Sequence, residues 1–167
     1  MRRILIPVLI SVFILSTISL SASARGPANK ATGDVKRVKI GEPDKEWTLK
    51  FKAYEAEDNQ PAQGLAVAEE INGDGFWAAD VSCVKVADEF EVYFGGRVVA
   101  GNANFVGQYI ILKVFDGGQP GIGVDTVFSD IRKTLNEFED FCRNPDLTSI
   151  TAEWDVIDGN LQVYYTE

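Results

Sequence analysis

Proton transfer near neutral pH is the natural work of histidine, and this 167-residue chain contains none. Histidine-assisted serine and cysteine mechanisms are thereby excluded, as are zinc sites that rely on imidazole. Gly-x-Ser-x-Gly, phosphate-cradling loops and dinucleotide fingerprints are absent too. Carboxylates remain: Glu55 with Glu57, Glu69 with Glu70, or Asp155 with Asp158 could in principle serve a glycoside hydrolase. Among 25 acidic residues such neighbours arise by chance. Linear proximity does not create the cross-cleft spacing that hydrolysis needs, so solvated strand edges and turns account for them.

Hard oxygen ligands for Ca²⁺ could come from Asp116 and Asp125, which flank a glycine-rich loop, and from Asn72 and Asp74. Neither spacing matches the twelve-residue helix-loop-helix calcium motif, and both residue types favour turns in their own right. Trp47, Trp77 and Trp154, with Tyr93, Tyr109, Tyr164 and Tyr165, could stack on sugar rings if several shared an exposed face. Packing is the favoured reading, because Trp47 falls on the apolar side of its strand. The chain is therefore expected to be non-catalytic, with no cofactor and no metal.

The compartment follows from the first residues. Arg2 and Arg3 precede an apolar run from Ile4 to Leu20, and Ala22-Ser23-Ala24 offers small residues for a peptidase, the layout of a secretory signal peptide over residues 1–24. The rival, an uncleaved membrane anchor, stays open because the run is long for a signal core. Cleavage after Ala24 removes two arginines and no acids, leaving 14 basic against 25 acidic residues, a formal charge of −11. Such a surface repels phosphate backbones, so nucleic acid is not an expected partner. A cell-envelope protein or a glycan is the kind of partner this compartment suggests, and a membrane only if the leader is retained. Cys83 and Cys142 both lie in the exported part, where oxidising conditions let thiols pair. Two buried thiols or a bond between molecules are the alternatives.

These residues need a scaffold, and the hydropathy pattern supplies strands. Residues 25–33 hold almost no bulky apolar side chain and read as a flexible tether, with a single domain from 34 to 167. Val35, Val38 and Ile40 open a first strand, ended by Gly41-Glu42-Pro43-Asp44. Trp47, Leu49, Phe51 and Ala53 alternate with Thr48, Lys50 and Lys52, the clearest strand signal in the chain. Asp58 to Pro61 is a loop. Leu65 to Ile71 and Phe76 to Val86 form a hairpin around Asn72-Gly73-Asp74-Gly75.

Phe76 to Val86 and Tyr109 to Phe115 carry apolar residues in both phases, as strands covered on two sides do. Between them Phe90, Val92 and Phe94 lead into Gly95-Gly96, either a turn or a bulge. Asp125 to Ile131 is a further strand. Ile131, Leu135, Phe138 and Cys142 then recur at helical spacing, predicting a short helix over 133–141 with Ser129 or Asp130 as cap. Ile150 to Val156 and Leu161 to Tyr165 read as a closing hairpin around Asp158-Gly159-Asn160. About nine short strands at such intervals imply an all-β fold, an antiparallel β-sandwich of Ig-like or jelly-roll-like type.

Several of these segments, taken in order, resemble a family of small exported bacterial and archaeal domains called post-choice-of-anchor domains. The matching elements are Val81-Ser82-Cys83-Val84-Lys85-Val86, Phe94-Gly95-Gly96-Arg97-Val98, Leu112 to Gly118, Asp125-Thr126, Phe141-Cys142-Arg143-Asn144-Pro145 and Gly159-Asn160-Leu161-Gln162-Val163. The resemblance implies a sandwich-like fold, Cys83 paired with Cys142, and a bulge at Gly95-Gly96 within a continuing strand. It implies no activity, since the family has none settled.

Overall fold

A computed structural model describes residues 29–57, 61–118, 125–132, 134–145 and 150–166. The signal peptide expected over 1–24, residues 25–28 and most of the Asp58 to Pro61 loop lie outside them. Eight strands follow one another in the order β1 (Lys30–Lys39), β2 (Glu42–Tyr54), β3 (Gln63–Glu70), β4 (Phe76–Val86), β5 (Glu91–Gly101), β6 (Tyr109–Phe115), β7 (Thr126–Arg132) and β8 (Ala152–Tyr164). One helix, α1 (Leu135–Arg143), lies between β7 and β8. Every strand pairs antiparallel with its neighbour in sequence, and β8 returns to pair with β1, closing the sheet into an up-and-down barrel.

The expected β-sandwich is therefore not formed. A sandwich and a barrel share the same inward–outward alternation, and they differ in whether the first and last strands bond to each other. Here that bond is long: β1 and β8 are in register from Lys30 opposite Tyr164 to Lys39 opposite Trp154. The separate strands expected around Asp158-Gly159 are instead one continuous strand. Between Lys36 and Arg37 the register slips, leaving Ile157 as the extra residue of a bulge. Gly159 adopts φ +105°, so its left-handed backbone serves this bent strand where a hairpin turn was expected.

Strand β1 starts at Lys30, within the stretch whose composition reads as a tether. Ala31 and Gly33 have little side chain to bury, but their smallness suits an inward face where Phe51 and Leu161 approach Gly33. The first turn is shorter than expected, Ile40-Gly41, and Pro43 to Lys45 bulge from the start of β2 between the pairs Lys39–Glu42 and Val38–Glu46. Gly95-Gly96 does sit inside a continuing strand, but the extra residue belongs to the partner: Val81 faces Gly96, Cys83 faces Gly95, and Ser82 bulges from β4. A Cβ on Gly96 would collide with the carbonyl oxygen of Asp80, which is why only glycine fits there.

Inside the barrel, Val35, Leu49, Phe51, Phe94, Leu112, Val127 and Leu161 form one buried cluster, with the rings of Phe51 and Phe94 stacked at 4.7 Å. A second cluster lies under α1, on the outer faces of β5, β6 and β7. Phe138 stacks on Tyr109 at 4.8 Å, Phe141 meets Tyr93 edge-on at 6.4 Å, and Ile111 is fully buried beneath them. That second layer explains why β6 is apolar in both phases. The helix begins at a capping box formed by Thr134 and Glu137, so neither Ser129 nor Asp130 caps it; both belong to β7. Cys142 in α1 is disulfide-bonded to Cys83 in β4, with Cα atoms 5.8 Å apart, pinning the helix to the wall.

Candidate functional site

The barrel's two ends differ. One carries the β1–β2, β3–β4 and β5–β6 connections and the end of β7, and there a cavity of about 440 Å³ opens. Its wall is built from inward positions near the strand ends: Arg37 and Lys39 of β1, Lys45 and Trp47 of β2, Trp77 of β4, Ile110 of β6, Ser129 and Ile131 of β7, and Trp154 of β8. Phe105 of the β5–β6 connection, with Glu70 and Asp130, completes it. An eight-stranded barrel is just wide enough to be filled by side chains or to hold one small ligand. This one does both, because below the tryptophans the stacked phenylalanines and their aliphatic neighbours fill the interior.

Three indoles from three strands meet in this wall. Trp77 and Trp154 are buried, Trp47 is half-buried, and Trp47 meets Trp154 edge-on at 6.4 Å. The indole N–H of Trp154 donates to Ser129 Oγ at 2.9 Å, which fixes the ring's orientation. The packing role read from the sequence is thus correct for Trp77 and Trp154, and no flat exposed sugar platform is formed by these rings. Tyr93 and Tyr109 lie under α1, and Tyr164 is exposed near the other end of β8.

Arg37 is the residue that sequence reasoning missed. It is 2 % exposed, its guanidinium carbon lies 4.3 Å from the centre of the Trp154 ring, and its Nε and Nη1 find no hydrogen-bond partner. Burial pulls its pKa down to about 9, which still leaves it cationic at neutral pH. The other buried cation among the described residues, Lys113 on the outer face of β6, has the compensation that Arg37 lacks, an ion pair with Glu91 at 2.7 Å. Lys39 and Lys45, at the cavity rim, both pair with Glu42, whose carboxyl is held down at about pKa 2 by those two hydrogen bonds. A signal was present in the sequence: Ala31, Gly33, Val35 and Arg37 share one phase of β1, which puts a charge on the inward face. Val38 in the other phase obscured it.

The candidate acids do not converge. Glu55 sits at the opposite end, accepting from Asn29 Nδ2 at 2.8 Å, with Glu57 beyond it. Glu69 and Glu70 point to opposite faces of β3, and only Glu70 reaches the cavity, where its carboxylate accepts the N–H of Gly75 at 3.2 Å. Asp155 and Asp158 are separated by the β8 bulge. Asp116 and Asp125 do come together, but as loop staples: Asp125 accepts the N–H of Gly117 at 2.8 Å, and Asp116 accepts those of Gly118 at 2.9 Å and Val163 at 3.2 Å. Burial and the Asp116 charge push the Asp125 carboxyl up. Asn72 lies in the β3–β4 turn, and the carbonyl of Asp74 accepts from Asn102 Nδ2. Among the described residues no group of three or more such side chains is placed to hold a metal ion.

Comparison with known proteins finds no matching family, no matching curated protein and no matching solved structure.

Proposed function

We propose that this protein is an exported, non-catalytic module that binds a small molecule in the tryptophan-lined end of its barrel. The observation that carries this reading is the cavity itself, whose volume of about 440 Å³ lies within the ordinary range for ligand sites. Its lining combines aromatic rings with a few polar groups, as ligand sites do. The lack of histidine and the dispersal of the paired acids support a binding role over hydrolysis. Export is supported by the leader-like first 24 residues and by the disulfide, which suits an oxidising compartment. The motif order from Val81 to Val163 supports kinship with post-choice-of-anchor domains, without their expected sandwich.

Tryptophan emission gives a direct test. Neutral and charged planar aromatics, together with mono- and disaccharides, are titrated into the purified protein and into Ala152→Trp, which puts a larger side chain at a position of β8 that also lines the cavity. At least one compound class should quench the wild-type emission saturably at micromolar concentration, and the variant should not respond. No saturable quenching in any class, or equal binding by the variant, would remove the cavity from consideration as a site.

A further inference from the structure

Resting on that reading of the cavity, we infer that its ligand is a compact, planar organic carboxylate, with the carboxylate held against Arg37 and the planar body among Trp47, Trp77 and Trp154. The first ground is charge. A buried guanidinium normally has a carboxylate partner, because removing a charge from water costs several kcal/mol unless something opposes it. Arg37 has the face of Trp154 and nothing else among the described residues: Nε and Nη1 are unsatisfied, and the nearby lysines share Glu42.

The cavity does contain two acids. The carboxylate of Glu70 accepts from Gly75 and that of Asp130 from the N–H of Ile131 at 2.7 Å, and neither reaches Nε or Nη1. The missing counter-charge is therefore left to an occupant. The guanidinium charge is delocalised, so an anion beside any edge opposes all of it.

The second ground is shape. A long acyl chain would have to pass down the barrel axis, and that route is blocked by the stacked rings of Phe51 and Phe94 and the packed cluster around them. What remains open is a short chamber walled by three indoles. Edge-to-face and stacked contacts with such rings favour a flat body of one or two fused rings.

The test uses 1-naphthoate and its neutral isostere 1-naphthamide, titrated against the wild-type protein by tryptophan quenching and calorimetry. Naphthoate is expected to bind at least tenfold more tightly than naphthamide. Decanoate, carrying the same head on a long chain, should bind at least tenfold more weakly than naphthoate. In Arg37→Met, which keeps much of the side-chain volume, the preference for naphthoate over naphthamide should fall to within twofold. Equal binding of both naphthalenes by the wild type would overturn the assignment of an anion while leaving the cavity a binding site. Binding of neither would overturn the cavity reading as well. Decanoate binding as tightly as naphthoate would overturn the planar body. Because the wild-type comparison needs no variant, the inference is testable even if Arg37→Met fails to fold.

Discussion

Replacing Arg37 with Met should make the protein more stable, the reverse of what deleting a buried, ring-stacked side chain ordinarily does. Burial lowers the guanidinium pKa from its ordinary value to about 9. At about 1.4 kcal/mol per pK unit, carrying that charge costs the folded state roughly 5 kcal/mol. Stacking on Trp154 at 4.3 Å returns about 2 kcal/mol for a desolvated cation over indole. Roughly 3 kcal/mol of penalty remains, which an apolar side chain of similar length removes. With a urea slope of about 2 kcal/mol per molar, the unfolding midpoint of Arg37→Met should lie about 1.5 M higher than that of the wild type.

The pH dependence has a definite sign. Burial lowers the native guanidinium's pKa to about 9, whereas the unfolded one holds its proton to well above that. Between these values the unfolded state binds more protons, so wild-type stability gains with rising pH from this group. The penalty is fully present below pH 9, and the advantage of the variant should be flat from about pH 6 to 8 and shrink above 9. Urea melts of both proteins across this range make the measurement. A variant less stable than the wild type at pH 7, or an advantage that grows above pH 9, would refute the claim that the charge stands uncompensated.

Two further perturbations check the scaffold. The Cys83→Ser/Cys142→Ser double variant frees a 59-residue separation and should lose about 4 kcal/mol in urea melts by chain entropy, and a loss under about 1 kcal/mol would show that the bond constrains little. Gly96→Ala drives a Cβ into the backbone of Asp80 and Val81 and should cost about 3 kcal/mol; Gly41→Ala, with φ +83° but open space around it, should cost only about 1 kcal/mol. Equal losses at the two glycines in thermal melts would contradict the close approach of β4 and β5.

The elements that were legible in the sequence are those whose pattern answers to a single cause. Strand β4 spans Phe76–Val86 and β6 spans Tyr109–Phe115, as the doubly apolar runs predict, and in β6 the second layer responsible is α1. Trp47 to Ala53 alternates as expected because one face of β2 meets the core and the other meets water. Where one signal serves two structures, the reading diverged. Asp158-Gly159 is chemically a hairpin turn, but the same tolerance of positive φ also permits a bulge, and ten residue pairs with β1 favour the latter. The choice of barrel over sandwich turned on that one junction, since a strand that ends at Asp158 cannot run the length of β1.

The site was legible only in part. The indoles are visible as aromatic residues scattered over more than a hundred positions, and nothing local says that Trp47, Trp77 and Trp154 meet at one end of a barrel. That follows from the register of strands that are neighbours only after closure. Lys39 comes opposite Trp154 solely through the β1–β8 ladder, and Arg37 faces Trp47 through β1–β2. The charge at position 37 does not stand out in the sequence, because basic residues crowd that segment, with Lys36 and Lys39 on either side. Its phase, shared with Ala31 and Val35, distinguishes it from Lys36.

Because the eighth strand is bonded to the first over ten residue pairs, β1 is not left as the free edge of an open sheet. An open sheet of this length would end in two rows of unsatisfied backbone groups, the surface on which one chain seeds the ordered stacking of others. The seam between β7 and β8 is the exception: the two pair only from Thr126 to Ser129, leaving Asp130–Arg132 of β7 and Val156–Tyr164 of β8 without a strand partner across it among the described residues. That seam, where the Asp116 carboxylate accepts the N–H of Val163, is the part of the wall at which a strand from a second chain would add under crowding.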